Sequence, residues 1–236
     1  IDAESQLLAS IMAKKHSVSS THILIDIPSG KDAKVKNRIG AIKLKKEFEK
    51  IGRKLRKHIK VLITDGRQPI GNGIGPALEA RDVLWLLKRD PRRPIDLEKK
   101  CLVMCSEIFS MLGVKNGYRK ALDILDSGKA YNKMIEIIKA QKGKETAAED
   151  LHIGKYCCDI VSAKTGKVAD IDNLIISRTA RIAGAPHDKG AGIYLYKHIA
   201  DKVKKGERLF TIYSESEHEF EYAKDFAKKN NGFMVR

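Results

Sequence analysis

Between Asp65 and Val83 the chain reads DGRQPIGNGIGPALEARDV, and this stretch limits the possible folds more than any other. It places four glycines and two prolines between an apolar, β-branched run (Ile59 to Thr64) and a segment of helical apolar spacing. That segment carries Ala77, Leu78, Ala80, Val83, Leu84 and Leu87, and Pro76 stands at a first-turn position, where its missing N–H costs nothing. The pattern predicts strand, glycine-rich loop, helix. Such a loop can bring backbone N–H groups to an anion beyond the carboxyl end of a strand. Spacing alone also fits a tight structural turn: Gly71-Asn72-Gly73-Ile74-Gly75 is not GxGxxG, and no lysine follows it in the Walker arrangement.

The order of elements around this loop predicts an α/β fold. Ala3–Lys15 reads as a helix with Leu7, Leu8, Ile11 and Met12 as its apolar stripe, and Asp2, Gln6, Ser10 and Lys14 wind along a polar flank. Taken by themselves, Asp2 fits an N-cap, Ser10 a small hydroxyl bonded to the preceding turn, and Lys14 a solvated lysine. A strand follows at Thr21–Ile27, then Pro28-Ser29-Gly30, a helix from about Ala33 to Arg56, and the strand Ile59–Thr64. Strand, helix, strand, helix implies a parallel sheet with right-handed crossovers, whose ligands sit beyond the carboxyl ends of the strands. The loops Pro28–Lys34 and Asp65–Gly75 both leave such ends.

Asp90-Pro91-Arg92-Arg93-Pro94 is a rigid connector, and a helical segment fills 95–141: a long helix from Asp96 to Leu112, then shorter ones near Gly117–Ser127 and Ala130–Gln141. Lys142–Asp150 is polar and marks the expected boundary between a domain over 1–148 and a C-terminal α+β domain over 149–236. In the second domain strands are expected at Cys157–Ala163, Lys167–Ile171, Gly192–His198, Arg208–Tyr213 and Gly232–Arg236, with helices at Ile171–Ala183 and Glu215–Lys229.

A chain of 236 residues with 42% hydrophobic content can build a sizeable core. No run of 18 apolar residues is present, so no membrane span is expected. The first residue, Ile1, reads as mid-domain, so the chain is expected to be a fragment. Of the four cysteines, Cys101 and Cys105 sit at i, i+4 in an apolar helical run and read as core residues, while Cys157 and Cys158 should point to opposite faces of a strand. None falls in a zinc-binding pattern, so no metal is expected, and reduced thiols fit a cytoplasmic protein. The net charge of +16, from 46 basic and 30 acidic residues, suits small anionic substrates or a polyanion. The densest basic run, Lys43–Lys60, carries no interleaved tyrosine or tryptophan, which argues against a base-stacking platform there, and nucleic acid is the less favoured partner.

Four strings carry a family resemblance: LLASIMAKK (Leu7–Lys15), THILIDIPSGKDAKV (Thr21–Val35), the Asp65–Val83 stretch, and IDNLIISRTARIAGAPHDKGAGIYL (Ile171–Leu195). In this order they resemble the nucleoside phosphorylases of the thymidine phosphorylase family, and in particular the archaeal AMP phosphorylases. Ser29 and Asn72 depart from the usual pattern. HIADKVKKGERLFTIYSE (His198–Glu215) resembles the turn of biotinyl- and lipoyl-type barrels, without the modifiable lysine between methionines, so no attached cofactor is implied. The resemblance implies the rest of a phosphorylase-type parallel-sheet domain followed by a hammerhead, barrel-sandwich-like α+β domain.

The implied reaction is phosphorolysis of an N-glycosidic bond: AMP and phosphate give adenine and ribose 1,5-bisphosphate. Phosphate is then co-substrate, no cofactor is needed, and the whole protein is expected to be at least a dimer. Asp2 matches the position of the proton donor to the departing base, Ser10 a substrate-binding position, and Lys14 a lysine that contacts the base in the pyrimidine enzymes. Lys34 matches a nucleotide-binding lysine of the AMP enzymes, where the pyrimidine enzymes have an apolar residue; its charge suits a 5′-phosphate. The family's phosphate-binding loops lie upstream of Asp2, so this chain alone is expected to be inactive. A thymidine or pyrimidine-nucleoside phosphorylase is the alternative, and a basic RNA-binding module through Lys43–Lys60 is a second.

Overall fold

A computed structural model describes the chain from Glu4 to Arg236. Asp2 lies outside the described residues. The backbone packs as two compact units, one running up to Arg67 and including Lys99–Asp123, the other made of Gln68–Glu98 and Ile124–Arg236. The expected linker, Lys142–Asp150, lies inside the second of these.

The first unit holds α1 (Glu4–Ser17), β1 (His22–Ser29), α2 (Arg38–Lys54) and β2 (His58–Asp65). β1 and β2 pair in parallel, His22 opposite His58 through Ser29 opposite Asp65, as the order of elements requires. Period-2 alternation puts Ile23, Ile25 and Ile27 on one face, where they bury against Ala41, Leu44 and Phe48 of α2, Val61 of β2, and Leu8 and Met12 of α1. Phe48, 1% exposed, is the largest side chain of this core; its burial contributes about 2–3 kcal/mol by area. The opposite face is polar. Asp26 accepts a hydrogen bond from Thr64 Oγ1 at 2.7 Å and pairs with Lys100 at 2.6 Å, and Lys60 pairs with Glu107.

Helix α2 starts five residues later than its apolar pattern suggests. Asn37 caps it by accepting from Gly40 N–H at 2.9 Å. Residues 30–36 instead form a compact loop, with Gly30 N–H bonded to Val35 O and Ala33 N–H to Gly30 O. Lys34 therefore stands on a loop and not on a first helical turn.

In the second unit, β3 (Gly73–Ile74), β6 (Gly192–Leu195), β8 (Arg208–Ser214) and β4 (Tyr156–Val161) form an antiparallel sheet in the order β3-β6-β8-β4. A three-stranded sheet, β7-β5-β9, is built from Lys202–Val203, Gly166–Ile171 and Phe233–Val235. Helices α7 (Asn173–Ile182), capped by Asp172, and α8 (Glu217–Lys229), capped by Ser216, complete the core around Ile171, Ile176, Ile193, Leu195, Phe210 and Ile212. The short strands β3 and β7 were not foreseen: at two residues each they are too brief to show periodicity. Helix α3 (Pro76–Leu87) also belongs to this unit. The predicted helical segment consists of α4 (Ile95–Met111), α5 (Gly117–Asp126) and α6 (Lys129–Ala140).

Cys101 and Cys105 are exposed, against the expectation that they are core residues. The buried positions of α4 are Leu102 and Glu98, the latter held by Arg89 and Arg93, so the helix is rotated away from its cysteine stripe. Among the described residues no helix is long and apolar enough to cross a membrane.

Candidate functional site

The first unit contains a cleft of about 330 Å³ beside the carboxyl end of β1. Its walls are mostly apolar: Ile11 from α1, Ile27 and Pro28 from β1, Val35 from the following loop, and Phe48 from α2. Lys34 is the one ammonium among the lining residues. Its side chain is exposed, and among the described residues no carboxylate pairs with it. A pocket with apolar walls and few polar groups is the usual form of a small-molecule site. An unneutralised ammonium at its edge favours an anionic group on the ligand.

The loop that carries Lys34 is held from below. A parallel bridge joins Ser29 to Val35, and Gly66 N–H donates to Ser29 O at 2.9 Å, tying the residue after β2 to the end of β1. Asp65 forms a bidentate ion pair with Arg67, at 2.7 Å for Nη2 to Oδ2. The hydrogen bond from Arg67 holds the Asp65 carboxyl below its ordinary range.

Of the four residues singled out from the sequence, Lys34 lines the cleft. Ser10 and Lys14 are exposed on α1, one position before and three after Ile11, and neither is among the lining residues. Asp2 lies outside the described residues. Ile11 and Phe48 also line the cleft, and in the sequence each carries only an ordinary core signal.

The glycine-rich loop does not offer its amides to a ligand. Asn72 and Gly73 N–H both donate to Asp82 Oδ2 at 2.7 Å, Gly71 N–H to Asp96 Oδ2 at 3.1 Å, and Gly75 N–H to Glu79 Oε1 at 3.0 Å. The anions it cradles are the chain's own carboxylates. At Gly73 a Cβ would lie 2.3 Å from Leu78 O, so glycine is needed there for close packing onto α3. Burial raises the Asp82 carboxyl above its ordinary value, against the lowering effect of its two backbone donors. Among the described residues no group of three or more His, Cys, Asp or Glu side chains is arranged to hold a metal ion.

Comparison with known proteins adds two findings. Residues 167–233 match the family profile described as the pyrimidine nucleoside phosphorylase C-terminal domain. The whole chain aligns with a protein named "Putative thymidine phosphorylase" from Rhodopseudomonas palustris CGA009 at 44% identity, covering 46% of that relative. Proteins of the same name from Methylococcus capsulatus Bath and Legionella pneumophila Paris are 40% and 42% identical over the full chain, which covers 46% and 45% of them. The chain thus spans about half the length of the curated relatives it matches. Both findings support the thymidine/pyrimidine-nucleoside phosphorylase family for this chain, a family of pentosyltransferases. These relatives are bacterial, and their names carry neither the archaeal nor the AMP-specific part of the sequence reading.

Proposed function

We propose that this chain is part of a phosphorylase that splits the N-glycosidic bond of a nucleoside or nucleoside monophosphate with inorganic phosphate. In this reading residues 1–148 complete the catalytic domain and 149–236 form the C-terminal α+β domain. The observation that supports it is the apolar cleft at the carboxyl end of β1, with the ammonium of Lys34 at its edge and α1, the helix of Ser10 and Lys14, forming one wall.

The chemistry divides into two demands. Phosphate oxygen bonds to C1′ as the C1′–N bond breaks, and the electron pair left on the base must be met by a proton. Asp2, just ahead of α1, is assigned the proton transfer, which needs a carboxyl held protonated near neutral pH. Ser10 and Lys14 are assigned to binding of the nucleoside. No cofactor takes part, phosphate being the co-substrate. The whole protein works in the cytoplasm on small molecules, as at least a dimer.

Two substrates compete for this site. The names of the relatives favour thymidine or another pyrimidine nucleoside. Lys34 favours a nucleotide, because a 5′-phosphate would match its unpaired charge in a way that a 5′-hydroxyl does not. A protein of the relatives' full length, assayed for base release from thymidine, uridine and AMP with phosphate, separates them. Release of thymine or uracil alone selects the nucleoside, release of adenine selects the nucleotide, and release of no base overturns the proposal.

A further inference from the structure

The second unit carries a group of cations and aromatic rings that the reaction above does not use. Arg81 on α3 packs against two rings that also touch each other, its Cζ lying 4.8 Å from the centroid of Trp85 and 4.7 Å from that of Tyr194. The two rings are 6.3 Å apart and at 87° to each other, so they meet the guanidinium on adjacent sides. Its Nε is buried with no hydrogen-bond partner, and among the described residues no carboxylate lies within ion-pair distance of Arg81. The other arginines of the group are compensated: Arg92, 4.5 Å from the Trp85 centroid, is paired with Asp90 and Glu149, and Arg208, over Tyr196 at 4.4 Å, is 3.9 Å from Asp159. The neighbouring Asp82 carboxyl acts on it electrostatically but does not reach it as an ion pair, and a buried N–H without an acceptor is costly.

The surroundings narrow the choice of anion. Tyr194 and Tyr196 meet edge to face at 5.2 Å. In the β6–β8 register Tyr194 pairs with Thr211, so Tyr213, two residues on, shares its side of the sheet. One face of an antiparallel sheet therefore presents tyrosines from neighbouring strands, with Arg81 and Arg208 beside them. Tyrosine rings on a sheet face and arginine beside them are the two elements by which proteins hold a nucleotide unit, base on ring and phosphate on guanidinium. The chain's net charge of +16 has the sign such a ligand requires.

We propose that Arg81, Arg208, Tyr194, Tyr196 and Tyr213 form a nucleotide-binding site in the second unit, separate from the cleft of Lys34. The ligand is a phosphate-bearing nucleotide, free or as a unit of a single strand. This inference stands on the second unit alone and does not depend on the phosphorolysis reading.

Trp85, the only tryptophan in the chain, packs on Arg81 and reports on the site by its fluorescence. The intact chain is titrated with AMP, adenosine, inorganic phosphate and a short oligouridylate, alongside the Lys34→Ala and Arg81→Gln variants. The expected result is a saturable change in emission with AMP or the oligonucleotide, weaker with adenosine, retained in Lys34→Ala, and shifted to about tenfold or more higher concentration in Arg81→Gln. Tighter binding of the oligonucleotide marks a strand as the ligand, and equal or tighter binding of AMP a free nucleotide. If circular dichroism shows that Arg81→Gln fails to fold, the decision passes to the exposed Arg208→Gln, expected to bind several-fold more weakly. No saturable change, equal affinity for adenosine and AMP, loss of the signal in Lys34→Ala, or unchanged affinity in the folded arginine variant overturns the site.

Discussion

Asp82 Oδ2 accepts the amide of Gly73 at 2.7 Å and thereby fixes the middle of α3 to the loop before it. The same oxygen takes the amide of Asn72, while Oδ1 is buried and makes no hydrogen bond. Asp82→Ala should leave two amides without an acceptor and cost about 2–4 kcal/mol in denaturant unfolding. Asp82→Asn keeps an accepting oxygen and removes a buried charge. Because burial raises the folded-state pKa of Asp82 above its unfolded value of 3.8, the stability it contributes at low pH is lost as pH rises through the folded value. The Asn variant escapes that loss, so its stability relative to wild type should increase from acid to neutral pH. An Ala variant as stable as wild type would show that the carboxylate does not hold the loop.

Glu98 behaves in the opposite sense. Burial pushes its carboxyl up, but its ion pairs with Arg89 and Arg93, at 2.7 and 2.5 Å, outweigh it and the net pKa lies below the ordinary 4.5. Its contribution is therefore complete above pH 4.5 and is lost as pH falls through the folded value. Thermal melts between neutral pH and pH 3 should show a smaller acid-induced fall in Tm for Glu98→Gln than for wild type. Parallel curves would remove Glu98 from the acid response.

Gly30 has no room for a side chain. A Cβ there would sit 2.7 Å from the carbonyl carbon and oxygen of Gly66, both backbone atoms that cannot swing away. Gly30→Ala should destabilise the chain by about 1–3 kcal/mol, the usual cost of overpacking. It should also disturb the Lys34 loop, since Gly30 N–H bonds to Val35 O. Wild-type stability on urea unfolding would mean that the two loop backbones separate at little cost.

Much of this was legible because long elements advertise their period. The alternation of Ile23, Ile25 and Ile27 and the stripe Ala41, Leu44, Phe48 specify a strand and a helix that bury one face each, and β1 and β2 pair in parallel as their order requires. The start of α2 was misplaced because Val35 continues the apolar spacing across a loop; only the capping side chain of Asn37 marks the true boundary. The glycine-rich loop could not be judged from its own residues, since its acceptors, Asp82 and Asp96, lie further along the chain. The packing of Arg81 on Trp85 and Tyr194 was invisible for a similar reason: Tyr194 comes from the strand β6, far along the chain. At the cleft, Lys34 was legible through resemblance, while composition and spacing by themselves gave it no role.

The role of Lys34 is decided by comparing kcat/KM for AMP and for thymidine, each with phosphate, in a protein of the relatives' length and in its Lys34→Ala variant. An ammonium that meets a 5′-phosphate contributes a charge-assisted hydrogen bond, so the variant should lose about tenfold or more on AMP and little on thymidine. Equal losses on the two substrates, or none on AMP, would mean that the charge beside the β1 cleft does not read the 5′ position.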